Sequence, residues 1–309
     1  MNSSTQNSSS ITPPTDCRIW KEKYRREDYI LTSSSIILNI LTCPMIVFIN
    51  SLVLVAVIKK RRLQTTYNML LACLAATDLV VGVVVQPTFI FGEISIITGS
   101  IAADYCRLFR QTVFAFLYPS LTSLLLLALL SIERCVAIKY SLRYFEIVTK
   151  FRLIVAVIFC YITAALPTAL SLTLPPSRLN SSLTIAIACA SLLVIIHCQI
   201  FVYLVSRRHR KQIQAVQVSQ DAKRKFLEET KAVKTTSIII GFVLFSYVPS
   251  FLHQFIKRYY FGHVILSCVP LILSCILVNS LCNPIIYCWR SSILRKALVE
   301  LLRRNNNTG

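Results

Sequence analysis

Glu133-Arg134-Cys135 sets an acid and an arginine at the end of one long apolar run. Asp78 lies in the middle of an earlier run, and Asn283-Pro284-Ile285-Ile286-Tyr287 closes the last one. A charge in hydrocarbon costs several kcal/mol, so such residues in such runs serve pairing, ion binding or conformational control. Ser123, Asn279, Ser280 and Asn283 fall at depths similar to that of Asp78, and Asn50 sits in the first run. A carboxylate among neutral oxygens has two chemistries open to it. It coordinates a hard monovalent cation and water, or it stays protonated within a hydrogen-bond network. A structural polar knot between helices is the plainer alternative. Ion-linked function is preferred, because an acid inside a membrane is functional by default.

Glu133 and Arg134 as a lone pair would read as snorkelling interfacial charge. Glu229 changes that reading, since it opens the sixth run within reach of Arg134. Breaking such a contact frees the sixth helix to swing outward, which makes a bistable element. Pro249 in the sixth run removes a backbone hydrogen bond and supplies a kink, and Pro284 does the same in the seventh.

These groups need apolar elements to hold them. The chain has 309 residues, is 55% hydrophobic and only 15% charged, less charge than a soluble domain normally carries. Six glycines in so apolar a chain argue against a β-barrel. Seven runs reach the ~20 residues that a membrane helix needs: 32–58, 66–92, 108–132, 151–174, 183–206, 235–256 and 264–289. Lipid offers the backbone no water partner, so the runs are expected to be helices. The expected fold is an all-α membrane protein, a bundle of seven transmembrane helices. After it, Ile293, Leu294, Ala297, Leu298, Leu301 and Leu302 recur at helical spacing with cations between them. This predicts a short amphipathic helix on the inner membrane surface. The chain thus divides into three regions: a glycosylated extracellular N-terminus over 1–31, the transmembrane domain over 32–289, and a cytoplasmic helix and tail over 290–309.

The net charge of +20 invites a nucleic-acid reading, and its distribution argues against one. Lys59–Arg62, then Lys139, Arg143, Lys150 and Arg152, then Arg207–Lys225, then Arg290–Arg304 all fall on one side of an alternating topology. The positive-inside rule makes that side cytoplasmic, and basic segments there attract anionic membrane lipids. The N-terminus is then extracellular and the C-terminus cytoplasmic. Sequons at Asn2 and Asn7 agree, as does one at Asn180 in a loop expected to face out. No short apolar region follows a basic start, so the first span is expected to act as the anchor. Most of the twelve cysteines lie in apolar runs, where cysteine is an ordinary small hydrophobe. Cys17, Cys106 and Cys268 are the ones expected on the oxidising side.

Taken in order, these residues resemble the rhodopsin-type (class A) G-protein-coupled receptors over nearly the whole chain. Asn50 with Val53, Leu74-Ala75-Ala76-Thr77-Asp78, Glu133-Arg134-Cys135, Tyr203, Glu229–Lys234, Pro249 and Asn283–Tyr287 each match a helix signature of that family. The resemblance implies that Arg134 meets Tyr203 and Tyr287 on activation and that a heterotrimeric G protein docks in the opened cleft. It also implies a sodium ion held in the resting state by Asp78, Ser123, Asn279 and Asn283. Plasma-membrane residence and arrestin are implied as well, although the tail after Arg304 is short and poor in Ser and Thr.

Several positions depart from the family pattern. Cys135 replaces an aromatic, Tyr247 stands where a tryptophan marks the pocket floor, and Ile195 and Ser141 replace prolines. The loop over Pro175–Ser182 has no cysteine, so the family's common disulfide cannot form, and the candidate is a Cys17–Cys268 bridge or one using Cys106. The short second outer loop, Ile195 and Tyr287–Lys296 resemble the melanocortin, adenosine and cannabinoid receptor group. Thr88, Phe109 and Val113 stand where the melanocortin branch carries its acids, so that ligand is not carried over.

The expected pocket is lined by Phe116, Leu273 and Leu277 with Tyr247 and Phe251, and Arg110, His253 and Gln254 rim its mouth. Phe116 takes the place of the aspartate that binds amines, and Leu277 that of the lysine that binds retinal. A lipophilic or weakly acidic ligand with its polar end near Arg110 suits this set. The plain alternative is that the arginines at the mouth only snorkel. Two other readings compete: a non-signalling scavenger or scaffold, and a small transporter or channel. The latter would call for discontinuous helices and paired charges. No nucleophile or metal constellation emerges, so no enzyme is expected.

Overall fold

The computed structural model describes residues 26–98, 105–173, 178–215, 238, 241–250, 252 and 268–306. Every regular element among them is helical. α1 spans Arg26–Lys59, and a single 3₁₀ turn, Arg61–Leu63, leads to α2, Thr66–Val80. A π-helical turn, Val81–Val85, joins α2 to α3, Gln86–Ile97. α4 spans Tyr105–Lys139, α5 Tyr144–Ile147, α6 Lys150–Thr173 and α7 Arg178–Ala215. α8 is Gly241–Ser250, α9 Val269–Arg290 and α10 Ser292–Asn306. Among the described residues, six helices are long and apolar enough to cross a membrane, and α8 is a shorter apolar helix in the sixth run. The chain is an all-α membrane protein built as a seven-helix bundle.

The sequence explains where the helices begin and end. The Thr65 hydroxyl accepts the Asn68 amide at 3.3 Å and caps α2. Pro270 enters the first turn of α9, where its missing N–H costs nothing. Ser291, extended at φ −93° and ψ 103°, breaks the chain before α10, and its hydroxyl accepts the Leu294 amide at 3.1 Å. Leu70, Leu74, Leu124, Leu126 and Leu277 fill the core. Phe48, Phe159 and Phe245 stand exposed on the outside, a surface that suits hydrocarbon and would associate in water.

Four expectations need correction. The second span does not stop at 92 but runs through Glu93 to Ile97, because the acid finds partners inside the bundle. The third runs on to Lys139, since Glu133 and Arg134 continue the helix. Asn180 lies in the first turn of α7, not in a loop. The apolar stripe of α10 divides: Leu294, Ala297 and Leu298 are buried in the bundle core, whereas Ile293 and Leu302 are exposed. A Lys60–Glu300 ion pair at 2.7 Å ties α10 to the segment after α1.

The first and second spans approach each other closely at Gly82, in the π turn. A Cβ there would stand 2.8 Å from Val47 Cγ2 and 3.0 Å from Ile46 Cγ2, while one at Gly92 would meet nothing within 4 Å. Cys43 Sγ also donates to the Gly82 carbonyl at 3.1 Å. Gly82→Ala is therefore expected to cost about 1–3 kcal/mol by overpacking, and Gly92→Ala nothing. Thermal unfolding of the purified protein in nanodiscs checks this. Equal midpoints for the two variants would show slack between the spans.

Candidate functional site

Asp78 is fully buried in α2. Its Oδ1 accepts the Ser123 hydroxyl of α4 at 3.3 Å and its Oδ2 accepts the Asn283 amide of α9 at 3.2 Å. The Ser280 side chain bonds the same carboxyl. Three elements thus converge on one acid. Asn50 stands one step away: its Nδ2 donates to the Ser280 carbonyl at 3.1 Å and to the Ile46 carbonyl at 3.0 Å, while its Oδ1 has no hydrogen-bond partner. Asn279 is buried nearby in sequence, yet its Oδ1 also lacks a partner. The sequence grouped five residues with Asp78, and three of them, Ser123, Ser280 and Asn283, bond it directly. Next to Asp78 in sequence, the Thr77 hydroxyl lies 3.0 Å from the Tyr161 hydroxyl of α6, which docks the fourth span at the same depth.

At the basic end, Glu133 is buried and Arg134 half-buried in the last turns of α4. Arg134 Nε lies 3.6 Å from Glu133 Oε2, and its guanidinium carbon sits 3.4 Å from the centre of the Tyr67 ring. Such a stack over an aromatic face is attractive by about 0.5–2 kcal/mol. The Tyr144 hydroxyl of α5 donates to Glu133 Oε1. Sequence reading missed both tyrosines, because one lies at the start of the second span and the other in the short connection between the third and fourth spans. Cys135 donates to the Cys198 carbonyl of α7 at 3.2 Å, a contact that a bulky aromatic would not make. Tyr203 is 51% exposed and turned away from the core, whereas Tyr287 is buried. Pro249 falls next to last in α8.

In the presumed pocket, Phe116, Tyr247 and Leu277 are buried in one contiguous apolar cluster, and Leu273 packs against it. The Tyr247 hydroxyl donates to the Ser120 carbonyl at 3.0 Å, which pins the sixth span to the third. Arg110 belongs to α4, but its side chain is outside the described residues. So are Glu229, Phe251, His253, Gln254, Asn2, Asn7, Cys17 and the side chain of Asn180. Cys268, half-buried in the turn before α9, is a free thiol.

A second polar cluster lies toward the opposite end of the bundle. Glu93 is only 4% exposed and takes the Ser35 hydroxyl at 2.7 Å and 3.0 Å on its two oxygens. Ser274, Asn39, Gln86 and Thr42 continue the network across α1, α3 and α9. The signal was present in the sequence: Ser35 and Asn39 are one helical turn apart, and Gln86 and Glu93 two turns apart.

A seven-helix bundle with a polar centre and a Glu–Arg pair at its basic end defines a multi-pass membrane protein. Residues 49–182 match the family described as 7 transmembrane receptor (rhodopsin family). That stretch holds Asn50, Asp78, Ser123, Glu133 and Arg134. Over this stretch, less than half of the chain, the protein is similar to that receptor family.

The Tyr144 phenol lies outside the spans and is pushed up to about 12, chiefly by burial and then by its bond to the Glu133 carboxylate. The folded value exceeds the ordinary one near 10. Its stabilising bond is thus intact below pH ~10 and is lost as pH rises through about 12. Ultraviolet titration of Tyr144→Phe against the wild type is expected to remove a late-titrating phenol. A difference confined to the range below pH ~10 would contradict the bond.

Proposed function

We propose that this chain is a receptor that converts binding of an extracellular ligand into activation of a heterotrimeric G protein. The observation that carries the reading is the state of Arg134. It is held between the Glu133 carboxylate and the Tyr67 ring at the basic end, on the same helix that supplies Ser123 to Asp78. Glu133 is itself restrained by Tyr144. Release of Arg134 is the step that opens the cleft: the sixth span swings outward, and the arginine turns toward Tyr287 and Tyr203. The basic segments face the cytoplasm, and the N-terminus lies outside the plasma membrane with its sequons.

A sodium ion fits the centre. Asp78 supplies the charge, Ser123 and Ser280 supply hydroxyl oxygens, and the Asn279 Oδ1 is a buried acceptor in want of a partner. An ion held there favours the closed bundle, because it cross-links the second, third and seventh spans. At the other end, the apolar cluster of Phe116, Tyr247 and Leu277 suits the lipophilic body of a ligand, with a weakly acidic group near Arg110. Arrestin and membrane lipids are further partners. Within the family, Tyr287–Lys296 and Ile195 favour kinship with the melanocortin, adenosine and cannabinoid group.

Basal G-protein activation in cells, measured across a panel of Gα subtypes, tests the reading. Arg134→Ala is expected to abolish the signal, and Glu229→Ala to raise it several-fold. No exchange on any subtype from any form, with surface expression confirmed, would turn the reading to a non-signalling scaffold. Arg110→Ala is expected to weaken the response to an acidic agonist about ten-fold or more, the loss of one charge-assisted bond. An unchanged dose–response would remove the acid from the ligand reading.

A further inference from the structure

Glu93 has no part in the machinery at Asp78 or Arg134. It lies fifteen residues from Asp78 along the second span, or about 22 Å at 1.5 Å per residue. Its carboxyl takes one serine hydroxyl, whereas an ionised carboxylate offers about four acceptor sites. The stretches that share its hydrogen-bonded network, 29–42 of α1, 86–97 of α3 and 269–281 of α9, hold no Lys, Arg or His; α4, which also packs against α3, carries Cys106, Arg107 and Arg110, whose side chains are outside the described residues. The other titratable groups of the network stretches are Tyr29 and Cys275, and Cys268 stands just before α9. The Tyr29 hydroxyl is spent on the Ile97 carbonyl at 2.8 Å. The charged side chains of Arg26, Glu27 and Asp28, at the start of α1, are outside the described residues.

Counting protons decides the state of the cluster. Oxygen meets oxygen at three successive links. Glu93 lies 2.7 Å from Ser35 Oγ, Ser35 Oγ lies 2.8 Å from Ser274 Oγ, and Ser274 Oγ lies 2.8 Å from the Pro270 carbonyl. Each link needs one proton. With Glu93 ionised, the two serine hydroxyls supply two protons for three links. Asn39 supplies none to these links, since its amide donates to Ser274 Oγ at 2.7 Å and to the Ser35 carbonyl at 2.9 Å. With Glu93 protonated, every link is filled in one direction. The carboxylic acid donates to Ser35, Ser35 to Ser274, and Ser274 to the Pro270 carbonyl.

We propose that Glu93 is a proton-binding site, and that its bound proton completes a hydrogen-bonded chain joining the first, second and seventh spans at the end opposite Arg134. Loss of the proton leaves one link empty and a buried charge at the junction of three helices. The fold is therefore most stable with Glu93 protonated, and it weakens as pH rises through the titration of this group. Glutamine keeps a donor for Ser35 without the charge.

The test is thermal unfolding of the full-length protein in nanodiscs from acid to alkaline pH, in sodium and in choline chloride, with infrared spectra of the same samples. It reads folding rather than signalling, so it stands apart from the receptor reading. The wild-type midpoint is expected to fall by several degrees as pH rises. Glu93→Gln is expected to lose that fall and the carbonyl band of one protonated carboxylic acid. An undiminished fall in Glu93→Gln, or no carboxylic-acid band lost, overturns the proposal. So does a sodium-dependent midpoint abolished by Glu93→Gln without loss of such a band, which would assign a metal ion in place of the proton. If Glu93→Gln does not fold, Ser274→Ala serves instead. Opening the chain there is expected to shift the Glu93 carbonyl band, and an unmoved band overturns the proposal.

Discussion

Inside hydrocarbon a polar group has no water to fall back on, and an unpaired one costs several kcal/mol. This constraint sorts the side chains of the bundle into two kinds. Many hydroxyls satisfy themselves within their own helix: Thr42 bonds the Leu38 carbonyl, Thr122 the Tyr118 carbonyl, Ser131 the Leu127 carbonyl and Ser246 the Phe242 carbonyl, all between 2.8 and 2.9 Å. Carboxyls and carboxamides have too many sites to do so. Asp78, Asn50, Gln86 and Glu93 must reach across to neighbouring helices. The few groups that cannot be satisfied locally are thus the ones that fix how the spans pack.

The result is two polar layers separated by apolar packing, and the π turn at Val81–Val85 stands between them on the second span. Such a turn inserts one residue and rotates the remainder of the helix by about 100°, one residue's share of a 3.6-residue turn. That rotation lets Asp78 face the third and seventh spans while Gln86 and Glu93 face the first. The close approach at Gly82 belongs to the same feature, since a side chain there would collide with Val47. Helix geometry, small-residue packing and buried polarity are one problem at this point in the chain.

At the basic end the same constraint acts on Arg134. Its charge is not left in the bundle unpaired but shared between the Glu133 carboxylate and the Tyr67 ring. The short helix α5 contributes Tyr144 to Glu133, so a connecting segment, rather than a span, completes the restraint. The tail helix closes the end by sinking Leu294 into the core and by its ion pair to Lys60. That pair is exposed and worth little by itself; the buried leucine holds the helix in place.

The sequence alone determined the number of spans, their order and the groups around Asp78, because twenty-residue apolar runs and single charges within them have few physical solutions. It also determined that Glu133 and Arg134 stand together near the basic end of the third span, and that a stripe of leucines comes after the seventh. Only the tertiary structure decided what those groups touch. That Asn279 makes no hydrogen bond to Asp78, that the Tyr67 ring stacks on Arg134, and that Leu294 turns into the core depend on helix rotation. An apolar run does not encode its rotation, since it reads much the same from every side. Glu93 shows the limit most clearly. As a residue at the edge of an apolar run it looked like the end of a helix. It became the centre of a polar layer only once Ser35 and Ser274, from helices far off in sequence, were packed against it.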